Sequence, residues 1–310
     1  MTGTPAFHVS AADESESFDV IVVALGFENR SSFVASQYAS RSSTKIALGY
    51  PDNHDLSWAT NRAALLRLGF VIDEVLDDGI RSCIASHLDE VVSERVRVAV
   101  DISCFSRVRL AQIIEACFDH SYRSAMDVTF LYAPARYTDD AGIESSITIA
   151  EPLISDFSSL VADPEKPVGA IVGVGFEPNL ALGVSEYLDV ASVFAFAPTG
   201  VDRRYDRRTE GANREFFLTR NMTHVLPYDV FDPLTLYTKI ETLVYGIGVE
   251  HRVCIVPLGP KIFALAALLV AASSPEPVAI WRFSSASASV PRESVADGRV
   301  AGLRIRIPFS

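Results

Sequence analysis

What this chain lacks narrows its chemistry before any motif is considered. Its four cysteines, Cys83, Cys104, Cys117 and Cys254, form no Cys-x-x-Cys pair. They read as small core residues or reduced thiols, which points to a cytoplasmic setting rather than a disulfide scaffold. The six histidines are scattered, with no His-Glu-x-x-His helix and no Cys/His cluster, so neither a metal site nor a cofactor is expected. No phosphate loop (G-x-x-x-x-G-K-[ST]) and no nucleophile elbow (G-x-S-x-G) occurs. The run Gly173-Val174-Gly175-Phe176-Glu177-Pro178 begins like a dinucleotide fingerprint but has proline at the last glycine. Ordinary NAD-dependent, ATP-hydrolysing and α/β-hydrolase assignments therefore have no support. The longest apolar run, residues 262–272, is too short for a bilayer span, and the polar, acidic start is unlike an export signal, so no membrane partner is expected. Positive charge is scarce too: 27 Lys and Arg against 39 Asp and Glu give a formal −12. Wrapping a long nucleic acid, which depends on neutralising many phosphates, is thereby disfavoured; a small anion held by a few focused cations is not.

What the chain does have is a repeated pattern. An apolar run ending in Gly26-Phe27-Glu28-Asn29-Arg30 is matched by one ending in Gly175-Phe176-Glu177-Pro178-Asn179, an offset of 175 − 26 = 149 residues. Asn61-Arg62 and Asn213-Arg214, VRVAVDIS and RVCIVPLG, and VTFLYAP and PVAIWRF recur in the same order at similar offsets. A chain of 310 residues, 49% hydrophobic and 21% charged, is long enough for about two domains. The expectation is a tandem duplicated α/β fold, its halves related by a pseudo-twofold axis with a shared cleft lined by equivalent loops.

Strands are expected at 18–25, 45–50, 70–75, 96–100 and 128–132, with helices from about 31, over 56–68, over 80–92, and through Leu110, Ile113, Ile114 and Cys117. The second half repeats this with strands at 168–174, 192–196, 224–226, 253–256 and 278–281 and helices over 178–188, after Asn213, over 233–245 and through 265–271. Continuous apolar strands alternating with helices predict βαβ crossovers and two Rossmann-like units with mostly parallel sheets. The boundaries read as an acidic tail over 1–17, repeat 1 over 18–140, a linker with a short peripheral strand over 141–167, and repeat 2 over 168–310, ending in an edge strand where Leu303, Ile305 and Ile307 alternate with Arg304 and Arg306.

Ligands of parallel sheets gather at the carboxyl ends of the strands. Both Gly-Phe-Glu turns fall there, so Glu28 and Glu177 either complement the positive start of the following helix or face a ligand as hydrogen-bond acceptors or general bases. The strand over 96–100 runs into Asp101-Ile102-Ser103-Cys104-Phe105-Ser106-Arg107, which puts a carboxylate, a hydroxyl and a guanidinium around one turn. An arginine at a helix start is locally unfavourable, so Arg107 answers either to Asp101 or to an anion. In the second half the equivalent turn is Pro257-Leu258-Gly259-Pro260-Lys261, where Gly259 admits a ligand to backbone amides and Lys261 can meet a phosphate. Arg203, Arg204, Arg207 and Arg208 form a cluster that reads as an anion grip, as a solvated loop or as a salt-bridged surface.

A strand followed by Asp101, Ser103 and Arg107 as D-x-[ST]-x-x-x-[RK] resembles the motif of the CRISPR-associated Rossmann-fold (CARF) ligand-binding domains, and Pro257-Leu258-Gly259-Pro260-Lys261 is similar to the glycine–lysine turn found at the same place in many of them. The resemblance covers most of the chain by topology but only a few residues by motif; the second copy lacks the Asp and the Ser, and the Gly-Phe-Glu turns are not a family feature. CARF domains pair to bind cyclic oligonucleotides, and the related SAVED domains resemble two such units fused. The resemblance implies a bacterial defence sensor for an anionic, cyclic or linear, nucleotide, acting on an effector protein in trans. Arg30, Ser103, Arg107, Arg203, Arg204, Gly259 and Lys261 would bind the ligand. The alternatives are a nucleotide hydrolase or glycosidic-bond-cleaving enzyme using Glu28 or Glu177 with Asp101 assisting, and a protein-binding scaffold whose pocket is dead.

Overall fold

The computed structural model describes residues 6–13, 15–52, 54–139, 147–154, 164–200, 202–219, 222–284 and 291–309. The chain divides into two compact units: an N-terminal one of Pro5–Arg136 with Val290–Ser310, and a C-terminal one built on Tyr137–Ser289.

In the N-terminal unit the strands are β1 (His8–Ala11), β2 (Phe18–Leu25), β3 (Ser42–Gly49), β4 (Val71–Glu74), β5 (Arg95–Asp101) and β6 (Ala125–Tyr132), and the helices are α1 (Phe33–Tyr38), α2 (Trp58–Arg67), α3 (Ile80–Asp89) and α4 (Arg107–His120). The C-terminal unit contains β7 (Ile149–Pro152), β8 (Val168–Gly173), β9 (Ser192–Thr199), β10 (Met222–Asp229), β11 (Arg252–Pro257) and β12 (Val278–Ser284), with α5 (Leu180–Tyr187), α6 (Arg203–Ala212), α7 (Pro233–Gly248) and α8 (Lys261–Ser273). The last strand, β13 (Ala301–Ile307), returns to the N-terminal sheet.

That sheet has seven strands in the order β1-β13-β6-β5-β2-β3-β4, and the other has six in the order β10-β9-β8-β11-β12-β7. Within them, β4-β3-β2-β5-β6 and β10-β9-β8-β11-β12 are the same all-parallel Rossmann-like arrangement, each with an antiparallel strand, β13 or β7, added beside the fifth. The apolar runs of the sequence are these central strands: β8 is buried along its whole length, and β2 everywhere but Asp19. Helix α8, the apolar run over 262–272, lies buried against α7, β11 and β12, where each fully buried leucine contributes about 1.5–3 kcal/mol.

Several boundaries differ from the expectation. The C-terminal strand belongs to the N-terminal sheet and is not at its edge, because β1 covers it. Its alternation is satisfied there: Leu303, Ile305 and Ile307 are buried, while Arg306 pairs with Asp127 of β6 at 3.1 Å and Arg304 with Glu16 at 3.6 Å. The acidic tail accordingly contains a strand, and the peripheral strand expected within 141–167 is β7, a sheet member at Ile149–Pro152. Pro178 does not open a helix; Asn179, at φ 61°, turns the chain before α5 begins. The helix expected after Asn213 lies before it, as α6.

Candidate functional site

Each sheet reverses its strand order once, between β2 and β5 and between β8 and β11, and the crevice outside the carboxyl ends of those two strands is where such sheets take ligands. In the N-terminal unit the bordering turns are residues 26–30 and 101–107; in the C-terminal unit they are 175–179 and 257–261. The turns singled out by sequence thus fall at the switch points.

Both Gly-Phe-Glu turns are held by the same device. The buried Asn61 side chain donates to the carbonyls of Gly26 (3.0 Å) and Glu28 (2.8 Å) while its oxygen accepts from Ser32. The buried Asn213 donates to the carbonyl of Gly175 (2.7 Å) and to that of Thr209 (2.8 Å). An asparagine amide is suited to this, since its two N–H groups reach two carbonyls at once: Gly26 and Glu28 for Asn61, the turn carbonyl of Gly175 and the helical carbonyl of Thr209 for Asn213. In the N-terminal turn, Ser31 adds a bond to Ala24 O and accepts one from Gly26 N.

From there the two sites diverge. Arg30, 8% exposed, donates to Glu28 at 2.7 Å and to the Ala133 carbonyl beyond β6 at 3.0 Å. Burial opposes its charge, but Cys104, Glu28 and Tyr132 around it outweigh that, and its pKa is raised. Burial likewise pushes the Tyr132 phenol up, against the pull of the Arg30 charge. Asp101 and Ser103 are buried and bonded to one another: the Asp101 carboxylate accepts from the Ser103 N–H (2.9 Å) and hydroxyl, and the Ser103 oxygen accepts from Ala133 N (2.8 Å). Glu28, Arg30, Asp101 and Ser103 are therefore brought together, and the bonds they make hold the ends of β2, β5 and β6. Cys104, half-buried, sits with its Cβ 3.4 Å from where a Gly26 side chain would begin. Arg107 opens α4, which Ser106 caps by accepting from Arg109 N at 3.1 Å.

Arg109 was not singled out by sequence, yet among the described residues it is the largest fully buried side chain. It donates to Asp77 (2.6 Å), Gly49 O (2.9 Å) and Val75 O (2.7 Å) and lies 3.5 Å over the Tyr50 ring. Burial pushes the Tyr50 phenol up to about 12, with Arg109 pulling it back. This clamp ties the ends of β3 and β4 to α4. An arginine three positions into a helix carries no sequence signal of burial, and Cys104 passed as a core thiol.

In the C-terminal unit the place of Arg30 is taken by Asn179, and the Glu177 carboxylate folds back over its own turn, 2.5 Å from the position a Gly175 Cβ would occupy. The two turns touch backbone to backbone: Leu258 N and Gly259 N both donate to Gly173 O, at 2.9 and 2.8 Å, and a side chain on Gly259 would collide with Val174 O. Lys261 is the first residue of α8. The arginine cluster forms the exposed face of α6 rather than a loop. Arg203 is exposed. Arg204 grips its own helix cap, Asp202, at 2.6–3.1 Å and holds that carboxyl down to about 2. Arg204 also lies 4.6 Å over Tyr137, Tyr137 meets Tyr205 edge-on at 5.0 Å, and Arg208 lies 4.6 Å over Phe176 of the Gly-Phe-Glu turn. Phe176 thus faces α6.

A concavity of about 730 Å³ lined by Asp89, Glu94, His120, Arg123 and Phe309, among others, lies at the amino ends of β5 and β6, away from the switch point. Among the described residues no helix is long and apolar enough to cross a membrane.

These features define each unit as a Rossmann-like α/β unit with a polar switch-point turn. No protein-family model matches the chain, and no curated protein does. Among solved structures it is similar to the cytoplasmic domain of a prokaryotic cation chloride cotransporter, at 9% identity and TM-score 0.27 over 88% of this chain and 97% of that one. It is also similar to a ketoreductase from the first module of phoslactomycin biosynthesis in Streptomyces sp. HK803, at 11% identity and TM-score 0.23 over 87% and 61%.

Proposed function

We propose that this chain is a cytoplasmic nucleotide-signal sensor of bacterial defence, taking an anionic nucleotide at its switch-point turns and passing the signal to an effector protein in trans. The observation that carries the reading is the paired arrangement: in each unit an asparagine-latched Gly-Phe-Glu turn stands beside a helix whose first residue is a cation, Arg107 on α4 or Lys261 on α8. Helix starts with nearby cations are anion sites by geometry and charge. In an otherwise acidic chain such cations focus a local positive field. The Phe176, Tyr205 and Tyr137 rings with the planes of Arg204 and Arg208 are surfaces of the type on which bases stack. The hydrolase alternative is weaker at the first turn, where Glu28 is already engaged by Arg30 and Asp101 by Ser103, which leaves it resting on Glu177.

The test is native mass spectrometry and thermal unfolding of the full chain with a panel of linear and cyclic nucleotides. A bound nucleotide at about 100 times its Kd adds about 2.7 kcal/mol, which raises the Tm of a unit of about 150 residues by about 5–10 °C, and it should be recovered unchanged. Arg107→Glu and Lys261→Glu should each reduce the shift, and the two together should abolish it. A panel without any shift, or a shift that survives both charge reversals, defeats the proposal; turnover that disappears in Glu28→Gln or Glu177→Gln would establish the enzyme instead.

A further inference from the structure

Three donor types that sequence spacing leaves far apart converge beside the outer edge of the N-terminal sheet. Asp73 is on β4, the last strand of that sheet, and Cys83 and His87 are on α3. Four residues apart on a helix, Cys83 and His87 lie one above the other on the same face, and that face meets β4 at Asp73. One Asp73 oxygen, Oδ2, is the common neighbour: His87 Nε2 is 2.7 Å from it and Cys83 Sγ 3.7 Å. One ligand atom from each of the three residues lies within 4.8 Å of the others. From these contacts we propose that Asp73, Cys83 and His87 form a binding site for a borderline divalent transition metal of the zinc and cobalt type.

The geometry fits such an ion. Ligands 2.0–2.3 Å from a tetrahedral centre are roughly 3.4–3.7 Å apart. Cys83 and Asp73 already have that separation, and the His87–Asp73 contact would open by about 0.7 Å to admit the ion. The donor set selects the metal: a thiolate and an imidazole suit zinc or cobalt, whereas magnesium and calcium demand all-oxygen shells. All three residues are half-buried, with His87 20% and Asp73 30% exposed at the side chain, so a hydrated ion can enter and the fourth position stays open to water, as in three-ligand zinc sites. Sequence reading passed over the site because Cys-x-x-x-His on one helix and an aspartate ten residues earlier make no recognised spacing; only the β4–α3 packing assembles them. The site is independent of the nucleotide reading and uses none of its residues.

The competing account is an ordinary Asp73–His87 ion pair that clips α3 to β4, with Cys83 alongside. The full-length chain, stripped with a chelator, is titrated with Co²⁺ and the thiolate-to-cobalt charge-transfer absorption is followed. The expected result is a band that saturates at one equivalent, bleaches on addition of Zn²⁺ as the tighter-binding ion, and is absent in Cys83→Ser. Asp73→Asn keeps the side-chain shape and should weaken Co²⁺ binding by more than about tenfold, with Tm in chelator close to that of the parent. Absence of the band at one equivalent, its persistence in Cys83→Ser, or parental affinity in Asp73→Asn overturns the proposal.

Discussion

The Glu28–Arg30 pair decides whether the first Gly-Phe-Glu turn spends its carboxylate on the fold or keeps it for chemistry, and a double-mutant cycle measures which. The side chains are 10% and 17% exposed for Arg30 and Glu28 and meet at 2.7 Å. Charge centres about 4 Å apart at an effective dielectric of about 20 attract by roughly 4 kcal/mol, and removing one partner of a buried pair costs about 3–5 kcal/mol, because the other charge is left without compensation. Glu28→Ala strands the deeper charge, Arg30, which keeps the Ala133 carbonyl and Tyr132; its expected cost is about 3 kcal/mol. Arg30→Met removes that charge and leaves Glu28 nearer water, for an expected cost of roughly 1–2 kcal/mol. The double variant should cost about 1 kcal/mol more than Arg30→Met alone, giving a coupling of about 2 kcal/mol. The assay is built into the chain: of its two tryptophans, Trp58 belongs to the N-terminal unit and Trp281 to the C-terminal one, so in a Trp281→Phe background urea unfolding followed by fluorescence reports only the unit that contains the pair. A coupling below about 0.5 kcal/mol, or Glu28→Ala more stable than Arg30→Met, would refute the reasoning. A stabilised Glu28→Ala would instead mark Glu28 as a residue kept for function at the expense of stability.

Two further outcomes follow from contacts in each unit. Gly259→Ala should lower the stability of the C-terminal unit, read from Trp281 in a Trp58→Phe background, by about 2–4 kcal/mol, since the new Cβ runs into the Val174 carbonyl and relief means breaking both bonds to Gly173 O; an unchanged urea midpoint would contradict the close approach. His120 has its pKa lowered below 6.5, first by burial and then by Arg123, with Asp89 acting the other way. Because the unfolded chain then binds the proton more readily, stability contributed by neutral His120 is complete above about pH 6.5 and falls as pH drops below it. The urea midpoint of the N-terminal unit should decline from pH 7 to 5 less steeply in His120→Gln, and identical slopes would count against the buried neutral imidazole.

How much of this was legible beforehand depends on where the signal resides. The central strands were, because a strand covered on both faces must be apolar, as β8 is along its whole length and β2 is everywhere but Asp19. The switch-point turns were too, because a glycine followed by charge at the end of an apolar run marks the place where a buried strand leaves the core. The placement of β13 was not: an alternating strand states which face is dry but not which sheet it joins, and its partners, β6 on one side and β1 on the other, are distant in sequence. The helical state of residues 203–208 was hidden by their charge, which in sequence reads as loop, although Asp202 is an ordinary cap whose carboxylate accepts from Arg204 N. Arg109, Cys104 and the Asp73–Cys83–His87 cluster were invisible for one reason: each depends on contacts between elements that no local pattern encodes.

The recurrence of Asn61-Arg62 as Asn213-Arg214 was a weak landmark in the sequence and becomes a specific one in the structure, because only the asparagine does the same job twice. Both amides are buried on the carbonyl of the turn glycine, although Asn61 lies within α2 and Asn213 just beyond the end of α6. Two helices of different register therefore deliver one amide to one carbonyl at the same point in the strand order. What surrounds the latch is not repeated: a buried Arg30 with Asp101 and Ser103 in one unit, Asn179 with a backbone-to-backbone seam at Gly259 in the other. The latch fixes the path of the turn, and the lining decides what the turn can bind. Equivalent turns with unequal linings should bind unequally, and the separate charge reversals at Arg107 and Lys261 can register that difference.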